Sequence, residues 1–308
     1  MRFRTTVHNV STFFRLIQTI EKLQKRFIIK FTETTMHIIC NSDTNEGGIQ
    51  VWSQIKVPSL FTNYRIQSNA NNEITMVLSS EALAGALRSA AANPSSALSA
   101  GGTSNGAATS TSSFETEEVV MKLVKKNDMG MLSFDIHGVT RVGRVVKVTH
   151  DVRVDVMKPT EVAKLNEPMC PEPDMTVLLP PLHKIRTIVE RLRPMSNILA
   201  VRGNNAGCLQ LSINTEGVKV DTEWRGCTNP KTQDMNEDDE EEKDPEQMHS
   251  VLISIRSFLK FLNVHSVSST TIACVCHHHC LILYVYIGEV ADAGGVLTFY
   301  IPAIIDDE

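Results

Sequence analysis

The chain carries one pattern twice. Gly48-Ile49-Gln50-Val51 recurs as Gly217-Val218-Lys219-Val220, and Leu16, Ile20 and Leu23 recur as Ile185, Val189 and Leu192, all at an offset of 169 residues. Two basic positions travel with them, Arg15 with Lys184 and Lys22 with Arg191. A single offset shared by apolar and charged positions points to a duplicated domain whose copies keep both a core and an outward-facing task. The outward task involves positive charge on a helix.

The 308 residues suit about two domains, and 42 % hydrophobic content suffices for two cores. No secretory leader is expected, and the most apolar run, Leu281 to Ile287, is too short to span a bilayer, so no membrane partner is expected. Seven cysteines at irregular spacings point to reduced thiols, in cytosol or nucleus. The net charge of −5 hides an asymmetry. Residues 237–246 hold eight acids against Lys243, and Asp306-Asp307-Glu308 follow at the end, so the remaining chain is net basic.

Each half reads as a strand, a helix and further strands. Phe13, Leu16, Ile17, Ile20, Leu23 and Phe27 recur at helical spacing, with Arg15, Lys22 and Arg26 opposite and Ser11 or Thr12 as the expected cap. The second copy begins after Pro180-Pro181 and extends to Pro194, with Leu182, Ile185, Val189 and Leu192 apolar and Lys184 and Arg191 opposite. Further strand–helix pairs are expected at Ile74–Leu78 with Ser80–Ala91 and at Val251–Ile255 with Arg256–Val264, placing Arg88 and Lys260 on the polar sides. Val146, Val148, Val152, Val154 and Val156 alternate with charged residues in a long half-dry strand, and Val218, Val220 and Trp224 alternate likewise. Half-dry antiparallel strands covered by a few helices make the fold class α+β. The expected division is residues 1–156, a proline-containing connector at 157–174, and residues 175–308. Residues 93–113, rich in Ala, Ser, Gly and Thr, and the acidic stretch 228–248 read as insertions.

Catalytic signals are weak. Cys274-Val275-Cys276-His277-His278-His279-Cys280 is dense in ligand types, but alternating strand positions send neighbours to opposite faces, so the histidines read as a hairpin tip and no metal or other cofactor is expected. His150 lies in the apolar register of its strand and reads as a satisfied buried or interface histidine. Phosphate-loop, H-E-x-x-H and G-x-S-x-G motifs are missing, and the chain is read as no enzyme. A lone basic helix face is usually a solvated face, but recurrence at the core's own offset favours phosphate contacts, which need no base-reading groups.

Two copies of this element order, joined by an extended connector and carrying basic helices, resemble the sliding-clamp family. Several strings narrow the resemblance: Asn72-Glu73-Ile74, Ser80-Glu81 with Leu83, Thr149-His150-Asp151-Val152, Glu167-Pro168, Pro171 with Pro173-Asp174, and Tyr300-Ile301-Pro302-Ala303. Together they are similar to Hus-type subunits of the nine-one-one checkpoint clamp, the heterotrimeric relative of PCNA. The resemblance implies a non-catalytic subunit in a ring of three clamp-like chains, sheets outside and helices lining the hole, loaded on double-stranded DNA by an ATP-dependent clamp loader. It also implies a platform for checkpoint and repair proteins in the nucleus. The implied DNA-facing residues are Arg15, Lys22, Arg26, Arg88, Lys184, Arg191 and Lys260. The implied subunit-interface residues are Val146, Val148, His150, Val152 and Val154 on one edge and Val218, Val220 and Thr222 on the other. The alternative is a homotrimeric processivity clamp of the PCNA type.

Overall fold

A computed structural model describes residues 1–41, 48–91, 114–140, 142–230, 244–267, 270–288 and 293–304. The expected insertion at 93–113 and most of the acidic stretch 228–248 lie outside the described residues. The first half runs β1 (Arg2–Val7), α1 (Val10–Leu23), β2 (Arg26–Phe31), β3 (Thr35–Cys40), β4 (Gln50–Lys56), α2 (Val57–Leu60), β5 (Phe61–Gln67), β6 (Ile74–Ser79), α3 (Ser80–Ala91), β7 (Phe114–Lys126), β8 (Met129–Thr140) and β9 (Val145–Val156). After α4 (Pro159–Val162) the second half runs β10 (Met175–Leu178), α5 (Leu182–Leu192), β11 (Ile198–Gly203), β12 (Leu209–Asn214), β13 (Lys219–Trp224), β14 (His249–Ser254), α6 (Ile255–Phe261), β15 (Thr271–Cys276), β16 (Cys280–Ile287) and β17 (Gly295–Pro302).

The chain forms two compact units, Met1–Ile38 with Ile55–Leu165 and Ile39–Gln54 with Asn166–Glu308. In the first, the antiparallel strand order is β3-β2-β6-β9-β8-β7-β1-β5. In the second it is β10-β15-β16-β17-β4, beside a separate β13-β12-β11-β14 sheet. The pairings repeat between the halves of the sequence: β2 with β6 as β11 with β14, β1 with β7 as β10 with β15, and β7-β8-β9 as β15-β16-β17. By position β17 therefore answers to β9, and β13 to β4.

Amphipathic spacing explains where the helices sit. Phe13, Leu16, Ile17 and Ile20 of α1 are fully buried and Leu23 nearly so, each burial contributing roughly 2 kcal/mol. Leu182, Ile185, Val189 and Leu192 do the same for α5. Three sequence expectations shift. The α1 cap is Asn9, whose Oδ1 accepts from the Thr12 N–H at 3.2 Å, two or three residues earlier than Ser11 or Thr12. Helix α1 stops at Leu23, so Arg26 and Phe27 belong to β2, where Phe27 reaches the core through strand alternation. The helix expected at Arg256–Val264 is α6 followed by a 3-10 turn over Leu262–Ser266.

Candidate nucleic-acid and subunit interfaces

Burying the apolar side of each helix turns its basic residues outward. Arg15 and Lys22 are exposed on α1, Arg88 on α3, and Lys184 and Arg191 on α5, while Lys260 on α6 is half-buried. Helices α1 and α3 pack together in the first unit, and α5 and α6 in the second. Arg15 Nε donates to the Ser11 carbonyl at 3.3 Å, and the Arg88 guanidinium lies over the Phe14 ring. Among the described residues no carboxylate forms an ion pair with these six cations, which leaves their charge available to an external anion. Arg26 differs. It opens β2 and pairs with Asp155 at 2.7 Å, both side chains more than half exposed, so part of its charge is already answered and it is the weakest of the seven candidates.

Position along each helix separates a structural role from a further one. Lys22, Arg88, Arg191 and Lys260 all lie in last turns, where a cation complements the helix dipole for about 0.3–1 kcal/mol. Lys184 lies in the first turn of α5, where the dipole opposes a cation. Its counterpart Arg15 sits mid-helix. Local helix energetics therefore account for four of the charges and not for the Arg15–Lys184 recurrence. Exposed Lys25 and Arg193, just past α1 and α5, add to the basic ends. The repeat missed them because their positions at the 169 offset hold Pro194 and Gln24.

Among the described residues, the two expected edges are strands with free flanks. β9 pairs with β8 from Val145 to Val154, and on its other side with β6 only at Val154–Val156. β13 pairs with β12 and ends its sheet. On β9, Val146, Val148 and His150 are half-buried and Val152 and Val154 fully buried, alternating with exposed neighbours. On β13, Val220 and Thr222 are half-buried, whereas Val218 precedes the strand in the turn where Thr215 N–H donates to its carbonyl at 2.9 Å. The buried His150 Nε2 has no hydrogen-bond partner among the described residues. The counterparts of these edges are adjacent inside the second unit, where β17 and β4 are neighbours.

An ion network stiffens the β7-β8-β9 sheet. Burial alone would raise the Asp135 carboxyl, but Lys122 Nζ at 2.7 Å, Thr149 Oγ1 at 2.8 Å and Lys147 outweigh it and hold the group well below the usual carboxylate range. A hydrogen bond from Lys126 Nζ at 2.6 Å likewise lowers Asp151. In the cysteine-rich motif, β15 and β16 place Cys276 opposite Cys280, and His277–His279 form the hairpin tip with His278 at φ 55°. No group of three or more His, Cys, Asp or Glu side chains among the described residues is arranged to hold a metal ion.

A family model described as "Hus1-like protein" matches residues 1–305. The chain is 31 % identical over 312 residues to the checkpoint protein hus1 of Schizosaccharomyces pombe, covering 99 % of this chain and all of that protein. It is 27 % identical to the checkpoint protein HUS1 of Homo sapiens, covering 99 % and 100 %. A crystal structure of proliferating cellular nuclear antigen from Entamoeba histolytica superposes with a TM-score of 0.67 at 11 % identity, covering 98 % of this chain and 99 % of that one. The architecture is thus that of a PCNA-like sliding clamp.

Proposed function

Because this chain belongs to the Hus1-like protein family, we propose that it is one subunit of a heterotrimeric ring clamp that encircles duplex DNA and carries checkpoint and repair proteins. The observation that carries the reading is the relation between edges. β17 and β4 lie side by side within one chain, while their counterparts β9 and β13 keep free flanks among the described residues. If the repeat governs assembly as it governs the fold, β13 of one chain meets a β9-type strand of the next. Edges that differ from one another and repeat in one sense generate a closed head-to-tail ring. Long, proline-free edges would be an aggregation hazard if left open, and pairing removes it.

In such a ring the helices α1, α3, α5 and α6 face the hole. Arg15, Lys22, Arg88, Lys184, Arg191 and Lys260 then meet phosphates, holding DNA without reading sequence and releasing counterions as they do. Arg26 contributes from the rim, shared with Asp155. The subunit needs no catalytic group of its own. Opening and closing of the ring is assigned to a separate ATP-dependent loader, and the working compartment is the nucleus. Copurification from cells tests the reading: two sequence-distinct clamp-like chains should accompany this one in equal amounts, and the chain purified alone should be no trimer. A stable trimer of the chain alone would establish the PCNA-type homotrimer instead.

A further inference from the structure

The cysteine-rich motif, which the clamp reading leaves without a task, meets the connector within the second unit. Cys170 Sγ lies 3.4 Å from Cys280 Sγ, and Cys276 Sγ donates to the Pro171 carbonyl at 3.5 Å. Two successive connector residues thus rest on two cysteines of the β15–β16 hairpin. Cys276 and Cys280 are buried, at 0 % and 4 % exposure. Cys170 is half-buried at the rim of a groove of about 590 Å³, lined by residues 167–173 on one side and by Tyr284 and Tyr300 on the other. Along the same flank the Tyr300 hydroxyl donates to Glu167 Oε1 at 2.7 Å.

We propose that Cys170 and Cys280 form a reversible thiol–disulfide pair, a modification site through which a hydroperoxide pins the connector to β16. Cys170, the more accessible sulfur, loses its proton to solvent and attacks the terminal peroxide oxygen. The O–O bond breaks, and the leaving oxygen takes a proton and departs as an alcohol, or as water from hydrogen peroxide, giving Cys170 sulfenic acid. The Cys280 sulfur then attacks the Cys170 sulfur, the S–O bond breaks, and the released hydroxide takes the Cys280 proton as water. The two thiols lose two electrons and the peroxide gains them. A low-molecular-weight thiol restores both groups by exchange.

Access selects this pair over the cross-strand one: Cys276 and Cys280 also hydrogen-bond to each other, but both are buried, whereas Cys170 is half-buried and in contact with Cys280. Cys280 S–H points to Cys170 and Cys276 S–H to the Pro171 carbonyl, so the sulfur in contact with the accessible thiol is Cys280. Burial raises the Cys170 thiol above its ordinary value, with the Cys280 hydrogen bond partly offsetting it. Thiolate is therefore scarce at neutral pH and oxidation quickens as pH rises. Once formed, the bond fixes the connector flank of the groove, which in the reduced state is held there by noncovalent contacts such as Tyr300 to Glu167.

The test uses the full chain exposed to hydrogen peroxide, blocked with a maleimide at low pH and digested without reduction. Mass mapping should find a Cys170–Cys280 linked peptide that a dithiol reductant removes, with two fewer of the seven thiols titrating. Cys170→Ser should abolish the link and Cys276→Ser should keep it. Protease cleavage of the connector should slow several-fold in the oxidised protein but not in oxidised Cys170→Ser. A Cys276–Cys280 link in its place, or no link at Cys170 in the folded protein, overturns the pairing; an unchanged cleavage rate in the linked protein overturns the pinning.

Discussion

The Arg88 guanidinium carbon lies 5.9 Å from the centroid of the Phe14 ring, a cation resting on an aromatic face across two helices. Phe14 is half-buried beside the fully buried Phe13, and so forms a platform for α3 more than a part of the core. The contact fixes where the Arg88 charge stands relative to Arg15 and Lys22 on α1. Phe14→Ala should leave that charge in place but loose. Retention of the assembled ring on DNA should fall about threefold and stability by less than about 1 kcal/mol, read by DNA retention and thermal melting. A larger stability loss would make Phe14 a core residue.

Charge reversal at Lys22 and Arg191 together should weaken retention on DNA while assembly stays intact, since both are exposed on faces opposite their helix cores. The dependence of log K on log salt should become shallower by about 0.9 per lost phosphate contact. An unchanged slope with unchanged affinity would place these helices away from DNA.

Proline at Val220 should block ring assembly, because it removes a backbone donor and distorts the free-flanked β13. The matched control is proline at exposed Arg65 in β5, which likewise ends its strand order but has no proposed partner. His278 is unsuitable as a control, since its φ of 55° excludes proline and its N–H donates to the Ser250 carbonyl at 3.2 Å. Assembly lost equally at Val220 and Arg65 would mean general destabilisation.

Asp135→Asn should cost about 1–2 kcal/mol, because a buried acceptor loses its charge-assisted hydrogen bonds while the Lys122 and Lys147 ammonium groups, 35 % and 50 % exposed, stay hydrated. The pH dependence has a definite sign. Folded-state lowering of Asp135 and Asp151 gives stability that is fully present above the ordinary carboxylate range. It is lost as pH falls through and below that range. Urea melts at neutral and acidic pH should show the wild-type advantage over Asp135→Asn shrinking as pH falls; a constant difference would assign the cost to packing.

The 169-residue offset and the apolar periods determined the duplication, the α+β class and the outward side of each helix, because burial follows spacing that local chain geometry imposes. The strand ends of the cysteine motif were legible for the same reason: alternation and a polar tip leave one solution for Thr271–Cys276 and Cys280–Ile287. Other features were decided only by tertiary structure. Arg26 and Phe27 continue the helical spacing of α1, yet the chain turns after Leu23, so pairing of β2 with β6 overrides the local period and hands Arg26 to Asp155. Residues 39–54 belong with the second compact unit although they lie early in the chain, since strand pairing is blind to sequence distance. The same blindness brings Cys170 to Cys280 and Arg88 to Phe14, contacts that no spacing rule could encode because each joins segments whose separation is set by the fold and not by the period of either one.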